Sequence, residues 1–154
     1  INQHSLSFEV ASFSYTYSHR FKPNLTLGAS VHFGMAFLVQ INVMNRLSSR
    51  LIDPRIEMSK LQIFYRKYFK ANVYSDFGVY YSIGYYPLQF PEGDFMFFAP
   101  TERNVGVYFS VFYGHNKIKF GHEVQFGLIS EHYYGVDKNK PTLLIVPIII
   151  RYSF

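Results

Sequence analysis

A chain of 154 residues is long enough for one domain, and only 16% of its residues are charged whereas 20% are aromatic. Soluble domains carry roughly 25% charged residues, so this composition argues against an ordinary water-facing surface and favours an outer face that meets lipid. The absence of cysteine excludes disulfides, thiolate metal sites and a cysteine nucleophile, and the net charge of +5 forms no basic run that would indicate nucleic-acid binding.

Apolar and polar residues alternate with a period of two along most of the chain, which predicts β-strands. The first segment changes parity near Val10 and Ala11, and this predicts a β-bulge there. The segment from Asn24 to Asn45 is uncharged, but its polar residues and glycines favour a strand over a transmembrane helix. Pro147 cannot donate to a ladder, so we expect a local bulge or a gap in pairing around it. The predicted strands are 4–21, 25–43, 56–69, 73–86, 104–114, 118–131 and 142–154.

Seven strands is an odd number, whereas bacterial single-chain barrels have an even number of at least eight. We therefore expect one further strand, either upstream of Ile1 or through an unmarked turn within the long segment from Asn24 to Asn45. Short connections alternate with long ones, as the periplasmic turns and extracellular loops of such barrels do. The short connections are 22–24, 70–72 and 115–117, and the long ones are 45–55, 87–103 and 132–141. The predicted fold is an all-β, transmembrane, antiparallel up-and-down barrel of about eight strands, forming a single domain over residues 1–154.

The less apolar face of the strands carries glycine, serine, threonine and tyrosine with a few charges. This composition suits the narrow interior of an eight-stranded barrel, which side chains fill. Three acids and three bases point inward in this register, and buried charges require such pairing. These residues are Glu9, Lys60, Arg66, Asp76, Glu123 and Arg151. We interpret them as an ion network that holds the barrel rigid; a proton or ion pathway is the alternative.

The closing segment Ile148-Ile149-Ile150-Arg151-Tyr152-Ser153-Phe154 resembles the carboxy-terminal signature of Gram-negative outer-membrane proteins. The stretch 15–25, with its turn at Pro23-Asn24, is similar to the hairpins of such barrels. The resemblance implies a location in the outer membrane of a Gram-negative bacterium. It also implies that Tyr152 and Phe154 belong to the signal that the barrel-assembly machinery recognises. It implies no activity.

Six basic residues cluster around the short turns, with no acid among them. They are Arg20, Lys22, Lys67, Lys70, Lys117 and Lys119. At a membrane interface each would contribute about 1 kcal/mol of attraction to anionic lipid head groups. Docking of an acidic periplasmic partner is the alternative. On the opposite side, Arg46, Arg50 and Arg55 are candidates for contact with lipopolysaccharide phosphates.

The connection 87–100 is unusually apolar for a loop. Its large apolar side chains are Phe90, Phe95, Met96, Phe97 and Phe98. Exposed apolar clusters usually mark an interface, so this loop is a predicted contact with another outer-membrane protein. Folding over the barrel mouth and insertion into lipid are the alternatives.

No constellation of residues specifies a reaction. Ser130 and His132 share a strand face, similar to the His-x-Ser pair of lipid-A deacylase barrels, but in reversed order and without a following glutamate. The six histidines show no metal-ligand spacing, so we expect no metal and no cofactor. The sequence therefore favours a non-enzymatic outer-membrane barrel that docks as an accessory or structural subunit against a larger complex. An autonomous lipid-A-modifying hydrolase or a narrow pore is the alternative.

Overall fold

The computed structural model describes the backbone of residues 1–9, 12–41, 52–70, 72–85, 101–133 and 136–154. Side chains are described throughout these ranges except at 35–41, 52–58, 85, 101–102, 131–133, 136–138 and 140. The structure has eight strands: β1 (Asn2–Glu9), β2 (Ser12–Lys22), β3 (Leu25–Ile41), β4 (Ile52–Lys70), β5 (Val73–Tyr85), β6 (Thr101–His115), β7 (Ile118–Tyr133) and β8 (Val136–Ser153). The described residues contain no helix long and apolar enough to span a membrane.

Each strand pairs antiparallel with the next one along the chain, and β1 pairs with β8 to close the sheet into a barrel. This is the up-and-down arrangement, and it confirms the predicted all-β antiparallel barrel of about eight strands. Closure leaves no open sheet edge between the first and last strands.

The eighth strand comes from the segment 4–21, which the alternation predicts to be a single strand. The chain reverses there instead: β1 and β2 form a hairpin in which Glu9 lies opposite Ser12, with residues 10 and 11 between the two strands. The predicted bulge at Val10 and Ala11 was therefore wrong, because a change of parity also results when two strands follow each other closely. The proposed turn within Asn24–Asn45 was wrong as well, since β3 is continuous from Leu25 to Ile41. Closure of this barrel requires no strand upstream of Ile1.

The three predicted short connections are confirmed. Tight turns occupy Pro23–Asn24 and Asn116–Lys117, and β4 and β5 are separated by residues 71–72. The long connection predicted at 132–141 was wrong, because β7 extends to Tyr133 and β8 begins at Val136. The other two long connections include 42–51 and 86–100, which lie outside the described residues.

Strand β8 has two partners on the same edge. Near its end it pairs with β1, where Phe8 lies opposite Ile150, and farther from the short turns it pairs with β3, where Val39 lies opposite Ile145. The reason is strand length: β1 and β2 have 8 and 11 residues, whereas β3 and β8 have 17 and 18. The wall therefore contains eight strands at the short-turn end and six beyond the β1–β2 hairpin.

Pro147 lies at this change of partner. The register between β7 and β8 shifts there, since Gly121 pairs with Ile149 but Glu123 pairs with Val146. The predicted local bulge is thus confirmed, and it removes the need for a ladder hydrogen bond from the proline nitrogen. The bulge also reverses parity: Val146 and Ile149 are both buried although they are three residues apart, so the inward face of β8 changes from even to odd positions there.

The two surfaces of the barrel differ sharply. The outward-facing side chains are large and apolar; Ile63, Phe77 and Phe126 are 58%, 55% and 56% exposed. The inward-facing side chains are largely serine, threonine, glutamine and charged residues, and most of them are buried. This inside-out polarity is the feature that positions the candidate site.

Candidate functional site: the barrel interior and its basic rim

Aromatic rings and glycines share the barrel interior. The rings of Tyr74 and Phe112 stack with their centroids 5.1 Å apart, and Phe64, Tyr80 and Tyr108 form a second buried cluster. Glycine makes room for these rings, because a Cβ placed on Gly121 would lie 2.5 Å from the Phe112 ring. Small and large residues therefore alternate across the lumen, which fills a narrow barrel.

The six ionisable residues predicted to face inward are all buried, with 1–8% of their surface exposed. They form two groups along the barrel. The Asp76 group contains Arg66, Asp76 and Arg151 and lies nearer the short turns. The Glu123 group contains Glu9, His32, Lys60, Gln62, Glu123 and Gln125 and lies farther from them.

Asp76 binds two arginines. Arg66 contacts it in a bidentate manner, with Nε–Oδ1 and Nη2–Oδ2 distances of 2.6 and 2.9 Å. Arg151 donates from Nη1 to Oδ2 at 2.9 Å and from Nε to Ser7 Oγ, also at 2.9 Å. Bidentate charge-assisted bonds of this kind are among the strongest available to a side chain.

The Asp76 group carries one more positive charge than negative charge. Aromatic faces compensate for this excess: the Arg151 Cζ lies 3.9 Å from the centroid of Phe112, and the Arg66 Cζ lies 4.2 Å from that of Tyr74. Such cation–π contacts contribute most where water is excluded. The stacked rings and the two guanidinium groups therefore form a single packed layer across the barrel.

The Glu123 carboxylate is the centre of the second group. Lys60 Nζ lies 3.0 Å from its Oε1, and Gln62 Nε2 donates to both of its oxygens at 3.0 Å. Gln125 Nε2 donates to Oε1 at 2.7 Å. The carboxylate is thus surrounded by donors from β4 and β7.

His32 connects this carboxylate to Glu9. Because Gln62 directs its amide nitrogen at Glu123, its oxygen faces His32 Nε2, at 2.8 Å. The other ring nitrogen, Nδ1, lies 3.2 Å from Glu9 Oε1. His32 therefore lies between the Gln62 amide and the Glu9 carboxylate, with one ring nitrogen facing each of them.

The interior is consequently occupied by side chains whose charges pair with one another. Lys60 and Glu123 pair from different strands, and so do Arg66 and Asp76. Such a lumen is suited to holding the wall rigid, because its charges are used for internal bonds.

A basic cleft lies at the short-turn rim. Its volume is about 500 Å³, and it is lined by Arg20, Pro23, Asn24, Tyr68, Phe69 and Lys70. The Arg20 Cζ lies 4.5 Å from the centroid of Tyr68, whose hydroxyl donates to Gln3 Oε1 at 3.0 Å. We refer to this feature as the rim cleft.

The predicted head-group residues are placed in three ways. Arg20 and Lys70 line the rim cleft. Lys22, Lys67 and Lys117 are exposed, and the Lys117 Nζ lies 6.0 Å from the centroid of Tyr152. Lys119 differs, because it is buried and donates to the Gly114 carbonyl at 3.1 Å.

The two residues of the predicted assembly signal lie on the outer surface. Tyr152 and Phe154 are 40% and 61% exposed, and their rings stack with centroids 6.4 Å apart. The Phe154 N–H donates to the His4 carbonyl at 3.1 Å, which attaches the final residue to β1.

Several predicted contacts lie beyond the described part of the chain. They are the apolar loop residues Phe90, Phe95, Met96, Phe97 and Phe98, together with Arg46 and Arg50. The side chains of Arg55 and His132 are likewise not described, while Ser130 is half-buried in β7. Among the described side chains, no group of three or more His, Cys, Asp or Glu residues is arranged to hold a metal ion.

Sequence reasoning missed the connecting residues of the interior network. His32 and Gln62 complete the path from Glu9 to Glu123, yet neither was singled out. Both have the inward parity of their strands, so the alternation that indicated Lys60 could have identified them too. Pairing across the lumen had no sequence signal, because Lys60 and Glu123 are 63 residues apart.

Comparisons with models of protein families, with characterised proteins and with solved structures gave no match for this chain. The functional conclusion therefore depends on the geometry and chemistry of the barrel itself.

Proposed function

We propose that this protein is a non-enzymatic barrel of the outer membrane of a Gram-negative bacterium, acting as an accessory or structural subunit of a larger outer-membrane assembly. The observation that carries the proposal is the inside-out polarity of the barrel. Exposing large apolar side chains on the outside and burying charged ones inside would be unfavourable in water. In lipid, the same arrangement is the one that transmembrane barrels have, with an apolar outer band and a polar interior.

Closure of the sheet supports the same conclusion. In hydrocarbon every backbone polar group needs an internal partner, and a closed barrel provides one for each strand edge. The pairing of β1 with β8 closes the wall along the short β1–β2 hairpin, and the pairing of β3 with β8 closes it beyond the end of that hairpin. Even the Pro147 carbonyl at the bulge accepts a hydrogen bond, from Nδ1 of His122 on the outer face.

The filled lumen supports an accessory role over transport. The Asp76 and Glu123 groups occupy the interior, so the remaining surfaces for interaction are the outer wall, the rims and the connections. The apolar connection 87–100 is the sequence feature that favours another protein as the partner.

Membrane insertion is tested by flotation of the full chain after reconstitution into liposomes. We expect the protein to float with the lipid, to resist alkaline extraction and to migrate differently on gels before and after heating. A chain that remains in the aqueous fraction as a folded monomer would contradict the proposal.

The accessory role is tested by extracting the native protein from its membrane in mild detergent and measuring particle mass and composition. We expect stoichiometric partner proteins, and we expect the triple variant Phe95→Ser, Phe97→Ser, Phe98→Ser to lose them. The matched control changes polar residues of the same loop: Gln89→Ser, Glu92→Ser and Asp94→Ser. A particle containing this chain alone would remove the accessory role and leave only the membrane barrel.

A further inference from the structure

We propose that the rim cleft binds the phosphate-bearing head group of an anionic glycerophospholipid. This inference rests on the proposed membrane location, and it goes further by assigning one binding site and one class of ligand.

The cleft results from unequal strand lengths. Thr26 pairs with Arg66 and β3 begins one residue earlier, at Leu25, so residues 68–70 of β4 extend beyond β3. The turn at Pro23–Asn24 forms the opposite wall. A volume of about 500 Å³ is within the range of small-molecule sites and accommodates a phosphodiester with its glycerol.

The charge of the cleft selects an anion. Arg20 and Lys70 both line it, and the Asn24 amide adds a neutral donor. The three carboxylates whose side chains the structure describes, Glu9, Asp76 and Glu123, are all buried in the interior and bound to other residues. Among the described residues, therefore, no acid competes for these two cations.

The guanidinium of Arg20 is preorganised. It stacks on Tyr68, and Tyr68 is held from the other side by its hydrogen bond to Gln3 Oε1 at 3.0 Å. A planar guanidinium fixed in this way binds phosphate oxygens with less loss of side-chain entropy than a free lysine does.

The surroundings of the cleft favour a lipid over a free anion. Phe69 lines the cleft and is 58% exposed, and Phe21, next to Arg20, is 59% exposed. Aromatic side chains of this kind form the girdles at the interfaces of membrane barrels. A phosphate held by Arg20 and Lys70 would thus leave its acyl chains against an apolar wall.

The test uses the full chain in nanodiscs of phosphatidylcholine and phosphatidylglycerol, with gentle release and native mass spectrometry. We expect one retained phosphatidylglycerol per chain. The double variant Arg20→Gln, Lys70→Gln should lower its retention about 100-fold, since each charge-assisted hydrogen bond to the phosphate contributes about tenfold. The matched control, Lys22→Gln with Lys117→Gln, removes the same charge from the same rim outside the cleft. It measures the diffuse attraction to anionic lipid and should lower retention far less.

Lys70→Gln alone changes an exposed side chain and provides the measurement if the double variant does not fold; we expect about a tenfold loss of retained lipid. An equal loss of retained phosphatidylglycerol in the control would show that diffuse attraction to the basic rim, and not a defined site, holds the lipid, and this would overturn the inference. Displacement of the lipid by inorganic phosphate at millimolar concentration would also overturn it, in favour of a free-anion site. Flotation of the barrel without any lipid preference would refute this inference alone, whereas failure to float would refute the proposed function.

Discussion

Asp76 accepts three charge-assisted hydrogen bonds from two arginines that are themselves buried. Both guanidinium groups lie over aromatic rings, and only 4% of the surface of each arginine is exposed. Loss of one partner of a buried ion pair leaves an uncompensated charge, and this costs more than the pair contributes. Rigidity at the short-turn end of the barrel therefore depends on this one carboxylate.

We expect Asp76→Asn to lower the free energy of unfolding by about 3–5 kcal/mol, because two arginines then share a neutral amide. Urea unfolding in detergent, followed by circular dichroism, measures the change. The control is Ser110→Ala, directly opposite Asp76 in the β5–β6 ladder, since the Ser110 hydroxyl has no hydrogen-bond partner among the described residues. Similar losses in both variants would show that any polar change in this layer of the lumen destabilises the barrel, and that the charge of Asp76 is not the cause.

Strand β8 changes partner from β1 to β3 around Pro147, where its register with β7 shifts. The Pro147 carbonyl at this bulge forms a hydrogen bond with the side chain of His122, which lies on the outer face of β7. A carbonyl only accepts, so Nδ1 is the donor, and Nε2 is then free to accept from the Tyr113 hydroxyl at 3.3 Å. The bulge at Pro147 therefore explains why two polar side chains, Tyr113 and His122, lie hydrogen-bonded on an otherwise apolar wall.

Replacing His122 with Phe keeps a ring and removes the donor. We expect a loss of about 1–3 kcal/mol in unfolding free energy, because the Pro147 carbonyl becomes unsatisfied on the outer face, which the proposed membrane location removes from water. Tyr113→Phe is the matched control: it removes only the outer hydroxyl and should cost less. The same urea unfolding experiment compares the two variants, and a larger effect from Tyr113→Phe would contradict this explanation.

The sequence predicted elements better than it predicted their connections. Period-two alternation located β3 to β7 to within four residues, because each strand faces two different environments, but it placed the start of β8 six residues too late. It failed at 4–21, where two residues separate β1 from β2 and alternation cannot distinguish a bulge from a reversal. Inward parity placed Arg66 and Asp76 correctly in the lumen. The pairing of Arg151 with Asp76 could not be predicted in this way, because these residues meet only when the sheet closes into a barrel, and no local pattern encodes that closure.

At the scale of the whole molecule, strand number and lumen contents are linked. The wall narrows from eight strands to six where β3 meets β8, and a smaller circumference leaves less interior volume. Toward the short turns, the lumen contains the Asp76 and Glu123 groups and the rings of Phe64, Tyr80 and Tyr108. An ion crossing this barrel would have to break paired charges in both groups.

We therefore expect no steady single-channel conductance in planar bilayers at neutral pH. Flotation of the same preparation in liposomes is the control: it shows that the protein is inserted, so that an absence of current cannot be attributed to a failure to insert. The buried Lys60–Glu123 pair and the arginines on Asp76 are the barrier, since exchanging their partners for a passing ion requires charges to be separated in a water-poor interior. Stable current steps from the inserted wild-type protein would show that the lumen opens, and the filled lumen could then no longer support an accessory role over transport.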